Sequence, residues 1–236
     1  MTVKYKRKIS SEVFTPTRQS EKEQVLAREA PQKVINVLGE MMTDERRETI
    51  DFVVSNRTNT LHVAIEGVHD PHNTAAIIRS ADAFGIQNIH IIEGETRFKS
   101  SASVTQGAHK WIDVHVYPDT ATFIEAMRQQ GMKILVAAMD GAVDVADVDI
   151  SEPIVLVFGN EAAGISDEMR SQADGAFKIP MFGFVESFNV SVAAGISIAT
   201  LRQKGGGDLS QEAQSVLKAR YYLRSVRAGY EIIKRS

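Results

Sequence analysis

The sequence predicts an α/β protein built on a parallel sheet. Three observations carry this. From Leu61 onward, strand-like runs alternate with helix-like ones, the order expected when helices connect parallel strands. The run 154–158, Ile-Val-Leu-Val-Phe, is apolar throughout, as suits a strand covered on both faces. Helix-like stretches are punctuated by capping residues before and by glycine after, as at Gly85 and Gly131.

In order, residues 1 to about 30 are polar without a sustained period and read as a flexible arm. A helix is expected over 31–42, with Val34, Leu38 and Met41 on its buried face. Thr43 can cap the next helix, with Asp44 and Glu45 in a favourable first turn and Ile50 with Val53 or Val54 turned inward. Residues 61–66 read as the first strand. Asn73 is placed to cap a helix over 74–84, and 88–92 is the next strand. A helix over 119–130, strands at 133–139 and 154–158, a short acidic helix capped by Ser166, and a short strand at 177–179 follow. The Ala- and Ser-rich stretch 189–204 reads as a helix. After Gly205-Gly206-Gly207, residues 209–234 read as one final helix. Three units result: arm and N-terminal helices (1–60), the α/β domain (61–204) and a C-terminal basic helix (205–236). No internal repeat is present.

The chain has 236 residues, 43% of them hydrophobic, within the range of one α/β domain with appendages. No apolar run reaches the length of a membrane span, and the basic start, Met1 to Lys8, leads into no apolar core of a secretory signal. The chain has no cysteine, which excludes thiolate metal sites and cysteine nucleophiles and suits the cytoplasm. Net charge is -3, but Lys4, Lys6, Arg7 and Lys8 cluster at one end, and Lys218, Arg220, Arg224, Arg227, Lys234 and Arg235 at the other. Two basic ends could grip RNA, although on charge alone a solvated helix face is the better reading.

Common motifs fail. No G-x-G-x-x-G follows the first strand. Gly159 to Gly164 has Walker-loop spacing but continues into Ile165-Ser166, without the lysine. His69 and His72 lack a third metal ligand at a recognisable spacing, so no metal is expected. No G-x-S-x-G nucleophile elbow is present.

Three ordered segments are informative: Asn73-Thr-Ala-Ala-Ile-Ile-Arg79-Ser-Ala-Asp82-Ala-Phe-Gly85; Val155-Leu-Val-Phe-Gly159-Asn160-Glu161-Ala-Ala-Gly164-Ile-Ser166; and Ile179-Pro180-Met181 with Glu186-Ser187-Phe188-Asn189-Val190-Ser191-Val192-Ala193-Ala194. Together they resemble the three motifs of the SpoU/TrmH family, within the SPOUT superfamily of RNA methyltransferases, over residues 61 to about 204. The flanking words Glu66-Gly-Val-His69-Asp-Pro-His72-Asn73, Gly107-Ala-His109-Lys110-Trp111 and Gly183-Phe-Val-Glu-Ser187 look closest to the family's tRNA guanosine-2′-O-methyltransferases acting on the D-loop. Three features depart from that pattern. The arm is longer, Asp70 stands where a basic residue is common, and Glu186 where Gln is frequent.

The resemblance implies a deep C-terminal trefoil knot, S-adenosyl-L-methionine as cofactor, and a homodimer with sites near the subunit interface, burying the 189–204 helix at Ala193, Ala194 and Gly195. It also implies a cofactor pocket lined by Ala137, Gly159, Ile179, Met181 and Phe188, although as isolated residues Ile179 and Phe188 would read as core. It assigns transfer to a ribose 2′-hydroxyl to Arg79, Asn73, Glu161, Ser187 and Asn189. Arg79 is the central residue. The family casts it as general base, yet a guanidinium keeps its proton in nearly every setting, so an RNA phosphate held by Arg79 is the alternative acceptor. The plainer reading of Arg79 is an ion pair with Asp82, and of Asn73 and Asn189, helix caps. Glu161 could hold a loop or pair with Arg79. Ribosomal RNA as substrate, or a catalytically silent RNA-binding module, are the competing functions.

Overall fold

The structure, a computed structural model, describes residues 18–68, 70–93, 110–160 and 163–236. Seven strands form one parallel sheet in the order β3-β2-β1-β6-β4-β7-β5. They are β1 (Leu61–Glu66), β2 (Asn88–Ile92), β3 (Asp113–Tyr117), β4 (Lys133–Ala137), β5 (Val143–Asp144), β6 (Ile154–Phe158) and β7 (Gly175–Lys178). The central strands β1, β2 and β6 are buried at every position, which is why their sequence bounds match the structure.

β3 and the two-residue β5 are absent from the sequence reading. β3 reads Asp-Val-His-Val-Tyr, and its polar positions face other buried polar groups, so it lacks the apolar signature of an inner strand.

The helices are α1 (Arg18–Glu29), α2 (Pro31–Gly39), α3 (Asp44–Ser55), α4 (Pro71–Ala83), α5 (Thr120–Gln129), α6 (Asp167–Gln172), α7 (Val190–Arg202), α8 (Gln211–Ser225) and α9 (Gly229–Arg235). One sheet face packs on α4 and α7 through Ile77, Ile78, Ala194 and Ile198. The other packs on α5 and α6 through Phe123, Met127 and Met169.

Four sequence expectations are corrected. Residues 18–29 form α1, not a flexible stretch, because Ala27 buries against the helical core that includes Leu217 of α8. Met41 lies beyond α2 and is 56% exposed. Asn73 does not cap α4. The Asp70 carboxyl accepts from the His72 amide at 2.8 Å, and Pro71, with its preset φ and no amide hydrogen, occupies the first turn. The final helix is two: the chain breaks after Ser225, and Ala228 adopts a left-handed φ of 57° before α9.

These terminal helices form one layer. α1, α2, α3, α8 and α9 share a core around Val34, Leu38, Ile50, Val54, Tyr221 and Tyr222. Half of the basic cluster at the C-terminal end is spent on contacts within this layer or between it and the α/β unit. Lys218 pairs with Asp51, Arg220 forks onto Asp113 at 2.7 and 3.0 Å, and Arg224 donates to the Lys110 carbonyl. Arg227, Lys234 and Arg235 remain exposed.

Candidate active site

The C-terminal strand ends open onto a cleft of about 850 Å³. Its apolar walls come from Ala137, Phe158, Ile179, Phe188 and Val190, and Gly159, Met181 and Ser187 also line it. Ala137, Gly159, Ile179, Met181 and Phe188, drawn from the ends of three strands and the approach to α7, therefore meet at one site.

Local geometry explains the glycine spacing that mimicked a Walker loop. Asn160 and Gly164 exchange backbone hydrogen bonds of 3.0 and 2.8 Å, with Gly164 at φ +70°. A Cβ on Gly159 would collide with the Gly164 carbonyl. Both positions thus require glycine for backbone reasons unrelated to triphosphate.

Next to the cleft-lining Ile165, Ser166 caps α6 by accepting from the Met169 amide at 3.1 Å. The rim also carries charges that no motif announced. Arg170 pairs with Asp140, and Lys178 lies 3.8 Å from Asp144. The hydrogen bond from Arg170 holds the Asp140 carboxyl below its ordinary value. Sequence offers no signal for these pairs because each joins residues from separate elements.

Asn189 caps α7, its Oδ1 accepting from the Ser191 amide at 2.8 Å and hydroxyl at 2.6 Å, while its Nδ2 donates to Asn73 Oδ1 at 3.1 Å. Both expected polar residues are thereby joined, and the capping and bridging roles of Asn189 coexist. Arg79 sits two turns along α4, exposed, and does not line the cleft. It has no hydrogen-bond or ion-pair partner among the described residues. The plainer ion pair with Asp82 is not formed. Asp82 is taken by the buried Arg57 at 2.5 Å, and Arg57 also donates to the Ile86 carbonyl at 3.2 Å. Glu161, His69 and His109 lie outside the described residues. Among the described residues no group of three His, Asp or Glu could hold a metal.

Residues 60–199 match the SpoU rRNA methylase family. This chain is a member of the SpoU methylase family. The SpoU assignment accords with a relative 37% identical over 155 residues, the tRNA (guanosine(18)-2′-O)-methyltransferase of Thermus thermophilus, where the match covers 65% of this chain and 80% of the relative. Among solved structures, the TrmH/SpoU tRNA-modifying enzyme of A. aeolicus aligns with a TM-score of 0.68 at 29% identity, over 78% of this chain and 98% of that one. An AdoMet-bound rRNA methyltransferase from Sinorhizobium meliloti aligns at 0.58 and 31% identity, over 66% and 60% of the two chains.

Proposed function

We propose that this SpoU-family protein transfers a methyl group from S-adenosylmethionine to a ribose 2′-hydroxyl of a tRNA guanosine in the D-loop. The observation that carries the proposal is the meeting of five family pocket positions in one cleft whose edge continues, through Ser187 and Asn189, to the helix bearing Arg79. Relatives named for this tRNA reaction support the substrate.

The cleft fits the cofactor chemically. Ile179 and Phe188 offer apolar surfaces for an adenine, and the Arg170, Asp140, Asp144 and Lys178 rim offers charges of both signs for an amino-acid moiety. When bound, the cofactor supplies a methyl group already activated on a sulfonium.

The protein's task is then to align the 2′-oxygen and manage its proton, and alignment alone can contribute roughly 7–11 kcal/mol. Arg79 is exposed and keeps its own proton. It binds an RNA phosphate and stabilises the charge developing on the 2′-oxygen, and that phosphate accepts the hydroxyl proton. Asn73 and Asn189 hold the helix of Arg79 against the start of α7, and Ser187 orients the substrate at the cleft; Glu161 is assigned to the reaction by its place in the family motif alone.

We assign the same protein a C-terminal trefoil knot, a homodimeric state and a place in the cytoplasm with its tRNA. The return of the chain from edge-side β7 to α7, packed on α4 near the sheet centre, supports the knot. Exposed Phe182, Phe184, Val185 and Val192 beside the cleft support the dimer. Of the small residues expected at that interface, Ala194 is already buried in this chain's own core and Gly195 lies beside Ser80 of α4, so the interface draws on the Phe182–Val192 patch instead.

Labelled methyl transfer to transcribed tRNA tests the function. Incorporation that disappears when the target guanosine carries a 2′-deoxyribose is the expected result. Incorporation into ribosomal RNA alone, or into neither, overturns it.

A further inference from the structure

We infer that Glu66 is a positioning residue, holding the cleft segment 163–166 in register with the helix that carries Arg79. The inference rests on the proposed placement of the cofactor in this cleft. Glu66 ends β1 and is 7% exposed. A buried carboxyl is costly unless its oxygens are satisfied, and its neighbours on the same sheet face, Ala64 and Ile92, are apolar. Its oxygens accept three hydrogen bonds: from the Thr120 hydroxyl at 2.7 Å, the Ser166 hydroxyl at 2.7 Å and the Ser166 amide at 2.9 Å. One donor lies at the start of α5. The other two end the cleft segment.

The next residue completes the mount. The Gly67 carbonyl accepts from Asn160 Nδ2 at 2.8 Å, and Asn160 Oδ1 accepts from the Ala163 amide at 3.0 Å. The end of β1 thus grips the chain at Asn160 and again at Ser166. Gly164 and Ile165, between the two grips, line the cleft. Gly67 then turns at φ +62° toward Asp70, the cap of α4, on which Arg79 sits. One strand end therefore carries both the cofactor wall and the helix with the arginine. In-line transfer depends on their relative placement, since small misplacements cost large factors in rate.

The test compares wild type with E66A, E66Q and S166A. The readouts are thermal midpoint, S-adenosylhomocysteine affinity by calorimetry, affinity for a transcribed tRNA, and kcat against KM. E66A is expected to weaken S-adenosylhomocysteine binding at least tenfold and lower kcat, with tRNA affinity within twofold of wild type. E66Q should recover cofactor affinity to within threefold. Its amide oxygen can face the Ser166 amide while its NH₂ donates to the two hydroxyl oxygens. S166A, which removes one of the three donors, should weaken binding about threefold and decides the matter if E66A does not fold. A lowered thermal midpoint with unchanged cofactor affinity in folded E66A or S166A overturns the inference and leaves the function standing. Failure of wild type itself to bind S-adenosylhomocysteine overturns the function.

Discussion

Asn189 Nδ2 donates to Asn73 Oδ1 at 3.1 Å, joining the first turns of α7 and α4 across 116 residues of chain. Asn189 is also the α7 cap, whereas the cap of α4 is Asp70 and not Asn73. The two are therefore separable by mutation. Asn189→Ala should cost about 1 kcal/mol of stability, as lost caps do, together with activity. Asn73→Ala, which leaves the α7 cap in place, should lower the denaturant midpoint less than Asn189→Ala while lowering kcat by about tenfold or more, on the order of 1.4 kcal/mol in the barrier. Equal effects of both variants on stability would refute the division of roles.

Arg79→Ala should abolish methyl transfer and leave S-adenosylhomocysteine affinity intact, because Arg79 does not line the cleft proposed to hold the cofactor. Arg79→Lys tests the role, since lysine retains the charge and loses the planar fork. Partial activity with a raised KM for tRNA, read from steady-state kinetics, is expected from a phosphate-holding residue. An Arg79→Ala variant with substantial turnover would remove the residue from the mechanism.

Gly159→Ala should be far more damaging than the size of a methyl group suggests. The new Cβ meets the backbone of Gly164, which cannot swing away as a flexible side chain could. A cost of about 1–3 kcal/mol and loss of cofactor binding are expected, measured by chemical denaturation and calorimetry. Wild-type affinity in this variant would show that the backbone at Gly164 and Ile165 moves freely.

A buried chain of neutral side chains should make stability fall in mild acid. Asn88 Nδ2 donates to His62 Nε2 at 3.1 Å, so His62 carries its proton on Nδ1 and donates to His90 Nε2 at 3.0 Å. His90 then donates from Nδ1 to Tyr117 at 3.1 Å, and His115 Nε2 donates to Asn88 Oδ1 at 3.0 Å. Burial, then the neighbouring His115, lowers the His62 value to about 4, and burial lowers His90 and His115 as well. These folded values lie below the unfolded value, so the unfolded chain binds the extra protons. Stability is complete above about pH 6.5 and declines as pH falls toward 4, by about 1.4 kcal/mol per pH unit for each histidine fully in that regime. Urea unfolding at pH 7.5, 6 and 5 checks this. A flat profile would mean the histidines are not held neutral, and H62N should shallow the slope.

How much was legible in the sequence differs by element, for physical reasons. β1, β2 and β6 were legible because a strand covered on both faces must be apolar or internally paired along its whole length. Thr43 and Ser166 were legible as caps because capping is a contact over three residues, and the structure has both accepting from the amide three positions on. Asn73 misled because Asp70 and Pro71, three and two residues earlier, start the helix sooner. β3 was missed because its polar side chains find partners on β2 and α8, distant in sequence.

By itself the sequence determined the parallel α/β class, the ordered motifs and the residue types of the site. Those depend on burial period, capping and backbone sterics, all local properties. The tertiary structure decided which residues meet. It gave Asp82 to Arg57 and left Arg79 exposed, spent Lys218, Arg220 and Arg224 on contacts of the helical layer, and mounted the cleft segment on Glu66. Each of those contacts joins groups far apart along the chain. Several partners of suitable chemistry were available to each, and only packing selects one.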